Sequence, residues 1–130
     1  MVEAKAIWTD QDRFLTEASS GHAMVVDTGE TKSASSPVEL LLIALCGCTA
    51  SDVVSILRKK RELFTGVEVA AYGERADEHP KVYTHIKLVY RVRGNVTHKA
   101  MEDAVRLSKE KYCSVSAMLE KTAAIEVEIE

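Results

Sequence analysis

The stretch SPVELLLIALCGCTASDVVSILRKKR, residues 36–61, constrains this chain more than any other. It opens as a helix opens. Ser36 caps, Pro37 suits the first helical position because that N–H would be unpaired in any case, and Glu39 completes an S-x-x-E capping box. Arg58, Lys59, Lys60 and Arg61 close it, with positive charge at the negative end of the helix dipole. The implied helix runs about 25 residues, roughly 38 Å. Its first half is apolar almost all round, so the expectation is burial on most sides. The dipole accounts for the RKKR run better than a nucleic-acid patch does. Seventeen Lys and Arg against twenty Asp and Glu give a net charge of -3, which supplies no field for a polyanion.

On the N-terminal side, residues 2–27 hold three alternating stretches, VEAKAIW, DRFLTEA and HAMVVD, which predict a three-stranded meander. Thr28 to Ser35 reads as a connecting loop. Beyond the helix, residues 65–93 predict two longer strands turning near His79 and Pro80. In the second strand Val82, Thr84, Ile86, Leu88, Tyr90 and Val92 alternate with Tyr83, His85, Lys87, Arg91 and Arg93, the period of a sheet with one wet face. Thr97 caps a helix reaching about Tyr112, with Met101, Ala104, Val105 and Ser108 on one face. A short helix, roughly Ser114 to Lys121, follows a break at Cys113. The chain ends in AAIEVEIE, where Ile125, Val127 and Ile129 face a core. The order βββ-α-ββ-αα-β is an α+β fold, read as a single domain over residues 1–130.

The N-terminus lacks the apolar centre of a signal peptide, and the run from Leu40 to Cys48 is too short to cross a bilayer, so the expectation is a cytoplasmic protein with no membrane partner. In that compartment three cysteines argue for reactive thiols rather than a disulfide framework. Cys48 lies mid-helix with Asp52 one turn on and Ser55 beyond, a polar stripe on an apolar helix. The stripe is either a small core thiol with Asp52 marking the approach to solvent, or a site. Gly47 implies a close approach, by another helix or by a small substrate. Cys113, between two helices, either packs in the break or receives the free N–H groups of the following helix, which would lower its pKa. Cys46 points to a different face from Cys48 and reads as packing. A C-x-C metal pair is disfavoured, since a helix holds those sulfurs apart and no histidine stands at ligand spacing; neither metal nor cofactor is expected.

Taken together, SPVELLLIALCGCTASDVVSIL and EKYCSVSAMLEK, with the strands on either side, resemble the OsmC/Ohr family of osmotically induced and organic hydroperoxide resistance proteins, in its OsmC-like branch. The resemblance covers nearly the whole chain. It implies an intertwined homodimer with the central helix at the shared core, so that Leu40 to Leu45 bury against a second copy. It also implies that Cys48 attacks a peroxide and becomes a sulfenic acid, that Cys113 condenses with it to a disulfide, and that a dithiol reductant reopens the bond. Peroxidase members add a supporting arginine and a glutamate directly after the helix-opening proline. Here that position is Val38, and the carboxylate comes one place later at Glu39, about 100° further round the helix. Arg13 is the best match for the arginine, with Arg75 in reserve, and Asp52 is the group that would orient the cation.

Two functional readings follow from that resemblance. One is a thiol-dependent peroxidase for small organic hydroperoxides. The other is a binding protein for a small apolar or thiol-reactive ligand between subunits, without peroxidase turnover, motivated by Val38 and the apolar helix. A purely structural, partner-binding domain is the third and bland alternative.

Overall fold

The computed structural model describes residues 1–130. Its elements are β1 (Ala4–Asp10), β2 (Arg13–Ala18), β3 (Ala23–Asp27), α1 (Pro37–Lys59), β4 (Leu63–Arg75), β5 (Tyr83–Asn95), α2 (His98–Leu107), a π-helical turn (Ser108–Tyr112), α3 (Ser114–Leu119) and β6 (Ala124–Ile129). The order is the α+β order expected from the sequence. The chain forms two compact units, Met1–Leu41 and Leu42–Glu130.

In the first unit β1, β2 and β3 make an antiparallel meander. Direct partners in such a ladder lie on the same face, so the registers Ile7↔Leu15 and Leu15↔Val25 lay an apolar row across one side. That row is exposed along its length. The loop after β3 is tied down by one carboxylate: Asp27 accepts from the Gly29 N–H at 2.9 Å and from the Ser33 N–H and hydroxyl at 2.9 and 2.8 Å.

The second unit is built on the sheet β4-β5-β6, in which β5 is central, antiparallel to β4 and parallel to β6. Ile86, Leu88 and Tyr90 are buried as the alternation requires. The alternation fails at the start of the strand, where Val82, just before β5, and Thr84 are exposed and Tyr83 is buried, and again at Val89, which is also buried. Gly73 explains the burial of Tyr83, because a β-carbon there would stand 2.6 Å from the Tyr83 ring; only glycine leaves the ring its place. In β6 the expected core row is incomplete, with Ile125 buried but Val127 exposed on an edge strand.

Helix α1 begins with the expected capping box: Ser36 N–H donates to Glu39 Oε1 at 2.9 Å, and Glu39 N–H donates to Ser36 Oγ at 3.2 Å. It stops in a Schellman arrangement. Arg61 takes the left-handed conformation, Glu62 N–H reaches Leu57 O, and Arg61 N–H reaches Arg58 O. The first half of α1 is not buried on most sides, contrary to the sequence expectation. Leu41, Ile43, Ala44 and Gly47 are exposed, Ile43 at 54%, while burial is confined to Leu45, Thr49, Val53, Ile56 and Leu57. The pattern follows the helical period, so one face packs within the chain and another has no cover in it. Counted over its full 23 residues, α1 is long and apolar enough to cross a membrane, although its apolar run alone is short. Its buried stripe is that of a core helix in an α+β fold.

Helix α2 ends five residues earlier than the sequence suggests. Cys113 N–H bonds to Ser108 O, an i→i+5 bond that widens the last turn and leaves Ser108 fully buried.

The Asp27 tie is acid-labile. Hydrogen bonds from Ser33 and Gly29 hold its carboxyl at about 2, below the ordinary 3.8. The stabilisation is therefore complete above about pH 3.8 and lost as pH falls through about 2. The Ser33 amide resonance should titrate with a midpoint near 2 in the wild type and not at all in Asp27→Asn; a midpoint near 3.8 would contradict the tie.

Candidate active site

Cys48 and Asp52, one turn apart on α1, meet Cys113 at the cap of α3. One ligand atom from each, the two sulfurs and a carboxylate oxygen, all lie within 4.8 Å of one another. The thiols are free, Cys48 half-buried and Cys113 only 3% exposed. Two sulfurs and an oxygen so placed suit thiol–disulfide chemistry, and they are also a donor set that soft divalent cations accept.

What fixes this juxtaposition is a buried chain of hydroxyls. Tyr90 Oη of β5 lies 2.7 Å from Thr49 Oγ1 of α1, Thr49 Oγ1 lies 2.8 Å from Ser108 Oγ, and Ser108 Oγ donates to Asp52 Oδ2 at 2.9 Å. Each hydroxyl has one proton, and a carboxylate only accepts. With Ser108 giving its proton to Asp52, Thr49 must donate to Ser108 and Tyr90 to Thr49. The polarity runs one way, from Tyr90 to Asp52. Burial, with the neighbouring Cys113, Cys46 and Asp52, pushes the Tyr90 phenol up to about 12, so the head of the chain keeps its proton.

Cys113 does receive the amide expected of it, from Ser116 N–H at 3.3 Å. The net effect is nevertheless a raised pKa, against the lowering that this amide alone would give and in keeping with a thiol packed in the break. Burial outweighs that amide, and with the adjacent Cys48 thiol and Asp52 carboxylate it pushes Cys113 up to about 11. Cys113 is thus a thiol near neutral pH. Burial also raises Cys46, which no hydrogen bond ties to the cluster. Ser116 Oγ is buried with no hydrogen-bond partner in the chain, and nothing in the structure explains it.

The remaining sequence candidates each have partners of their own. Arg13, on β2, pairs with Asp10 through Nε at 3.0 Å and Nη2 at 2.6 Å. Arg75, at the end of β4, donates to the Lys81 carbonyl across the hairpin. Glu39 serves the helix cap, and the Ser36 amide holds its carboxyl below the usual range. Gly47 meets no atom within 4 Å of where a β-carbon would stand, so nothing in a single chain makes the close approach that its presence suggested. A cleft of about 750 Å³ lies along β1–β3 with Ala4, Ala6, His22 and Met24 in its wall, and neither thiol lines it.

Thr49 and Tyr90 were not legible as site residues. Ser108 left a trace, a hydroxyl on the apolar stripe of α2 among Met101, Ala104 and Val105, and a buried hydroxyl needs a partner. Replacing Thr49 by valine removes the middle of the relay, leaving the buried Tyr90 hydroxyl without its acceptor and Ser108 without its donor. Thr49→Val should cost about 1–3 kcal/mol in denaturant unfolding, and Thr49→Ser should recover most of it. Equal stability of the two variants would contradict the relay.

The chain matches the family of OsmC-like proteins over residues 29–130. It is 43% identical over 125 residues to protein YhfA of Escherichia coli strain K12, covering 95% of this chain and 93% of YhfA. A hypothetical protein from Aquifex aeolicus VF5 superposes at a TM-score of 0.90 with 35% identity, over 100% of this chain and 95% of that one. An organic hydroperoxide resistance protein from Legionella pneumophila shares the fold at a TM-score of 0.76 and 16% identity, over 100% and 96% of the two chains. With a family match across most of its length and relatives well above 30% identity, this chain belongs to the OsmC-like protein family.

Proposed function

We propose that this protein is a cytoplasmic, thiol-dependent peroxidase that reduces small organic hydroperoxides, working as a homodimer of single OsmC-like domains. The observation that carries the reading is the convergence of Cys48, Cys113 and Asp52 within 4.8 Å. The half-buried Cys48 thiolate attacks the hydroxyl-bearing peroxide oxygen, the O–O bond breaks, and the alkoxide leaves and takes a proton from solvent as the alcohol, so that Cys48 becomes a sulfenic acid. Cys113 then attacks that sulfur. The S–S bond forms, and hydroxide leaves with the Cys113 proton as water. A dithiol reductant returns both thiols at the expense of its own oxidation to a disulfide. Because Cys113 is held as a thiol, its attack needs a base, and the Asp52 carboxylate fixed by Ser108 is within reach. Arg13 is the sequence's candidate for the supporting cation, and its guanidinium is engaged by Asp10.

A second reading is favoured by Val38 and Glu39. The family glutamate position holds an aliphatic side chain, and Glu39 is engaged by the cap. A chain lacking that carboxylate suits a binder of a small apolar or thiol-reactive ligand between subunits.

One equivalent of cumene hydroperoxide, followed by mass spectrometry, separates the two. The peroxidase reading expects a Cys48–Cys113 disulfide, with peroxide consumption under dithiothreitol or a lipoyl reductant that Cys48→Ser abolishes. Absence of oxidation, or oxidation at Cys46 alone, would leave the binding reading.

The dimer has its own test at Gly47. Within one chain an alanine there meets nothing and gains about 1 kcal/mol of helix propensity. If a second copy covers the bare face of α1, that methyl group obstructs it. Gly47→Ala should weaken the dimer by about tenfold or more in analytical ultracentrifugation without lowering the stability of the subunit; a monomeric wild type would contradict the proposal.

A further inference from the structure

The same three side chains that suit redox chemistry make a metal trap when reduced. We propose that the reduced Cys48–Asp52–Cys113 cluster binds one soft divalent cation of the zinc–cadmium class per chain, through two thiolates and one carboxylate, with a fourth position left to water or a small thiol. This inference does not rest on peroxidase activity.

Three observations carry it. The first is spacing. Donors around a tetrahedral cation with metal–sulfur bonds near 2.3 Å stand about 3.7 Å apart. The cluster's limit of 4.8 Å exceeds this by about 1 Å, a distance that side-chain rotation closes without moving the backbone. The second is the layout of the donors. Cys48 and Asp52 present from successive turns of a rigid helix, and Cys113 comes from a separate element, so the cation would clamp two parts of the fold rather than one flexible loop. This is a different pair from the adjacent Cys46 and Cys48, which a helix directs apart.

The third is the outer shell. Metal-binding carboxylates and thiolates are commonly held by hydrogen bonds from groups that do not touch the metal. Here Ser108 Oγ–H already fixes one oxygen of Asp52, and the Ser116 N–H already points at the Cys113 sulfur, where it would stabilise a thiolate. No rearrangement of the hydroxyl chain is needed. When the cation binds, each thiol releases its proton to solvent and no electron moves. Two thiolates and one carboxylate carry three negative charges against two positive, and a neutral fourth ligand leaves the site at minus one.

Metal occupancy and the disulfide are mutually exclusive, because each uses both sulfur atoms. A bound cation would therefore shield the pair from oxidation, and a disulfide once formed would exclude the cation.

Titration of the reduced protein with Cd²⁺ reads the site directly through the thiolate-to-cadmium charge-transfer absorption. The expected result is a band saturating at one Cd²⁺ per chain, unchanged in Cys46→Ser. Affinity should fall at least about 100-fold in Cys113→Ser and Cys48→Ser, and about tenfold in Asp52→Asn, with circular dichroism confirming that each variant is folded. Prior disulfide formation should abolish the band. A band that persists in Cys113→Ser, or requires Cys46, would overturn the proposal, as would no band at stoichiometric metal. A chain that consumes no peroxide would still pass, and a peroxidase that binds no Cd²⁺ would fail only here.

Discussion

Ser108 joins parts of the chain that are more than fifty residues apart. Its hydroxyl lies 2.8 Å from that of Thr49 and donates to Asp52 at 2.9 Å, both on α1, while its own carbonyl accepts the Cys113 N–H that closes the π turn. One fully buried residue thus joins, by its side chain, the helix from which Cys48 projects and, by its carbonyl, the turn that delivers Cys113. The low polarity around it makes the tie strict, since each hydroxyl left without its partner would cost about 1–3 kcal/mol. The hydroxyls can satisfy one another only in one direction, ending on Asp52. That carboxylate is then oriented before any substrate or cation arrives, as an effective site requires.

The electrostatics of the pair divide its labour. Cys113 is 3% exposed and pushed up to about 11 by burial, so it is a poor nucleophile until a base takes its proton. Cys48 is the more accessible of the two. An accessible first thiol and a protonated, sheltered second one suit a sequence in which oxidation begins at one sulfur and is resolved by the other. Neither Arg13 nor Arg75 is poised for this chemistry in the single chain, since each has a partner of its own. A row on the β1–β3 meander is exposed, as are Leu41, Ile43 and Ala44 on α1.

Local signals carried most of the fold. The capping box, the alternation in the meander and hairpin, and Thr97 before α2 each declare an element through its own neighbouring residues, and the structure has those elements within a few positions. What escaped depended on contacts distant in sequence. Tyr83 is buried against its strand's alternation because Gly73, across the hairpin, leaves room for its ring. The π turn exists where Ser108 is held by Thr49 and Asp52, and no local pattern reports that. For the site, resemblance in the two cysteine segments named Cys48 and Cys113 and spacing on α1 named Asp52, and the structure brings the three within 4.8 Å. Thr49 and Tyr90 stayed hidden because a threonine in a helix and a tyrosine in a strand are unremarkable until they meet. Of the two readings open for Cys113, the amide near its sulfur is local and foreseeable, whereas the burial that raises its pKa is not.

The central claim is the closeness of Cys48 and Cys113, and a thiol–disulfide equilibrium tests it without reference to any peroxide. Cys46→Ser protein would be poised in dithiothreitol or glutathione buffers of graded potential and its thiols trapped and mapped. The account predicts one two-electron transition to an intramolecular Cys48–Cys113 disulfide, with little mixed disulfide at equilibrium. Independent one-for-one glutathione adducts on the two cysteines, with no bond between them at any potential, would contradict it.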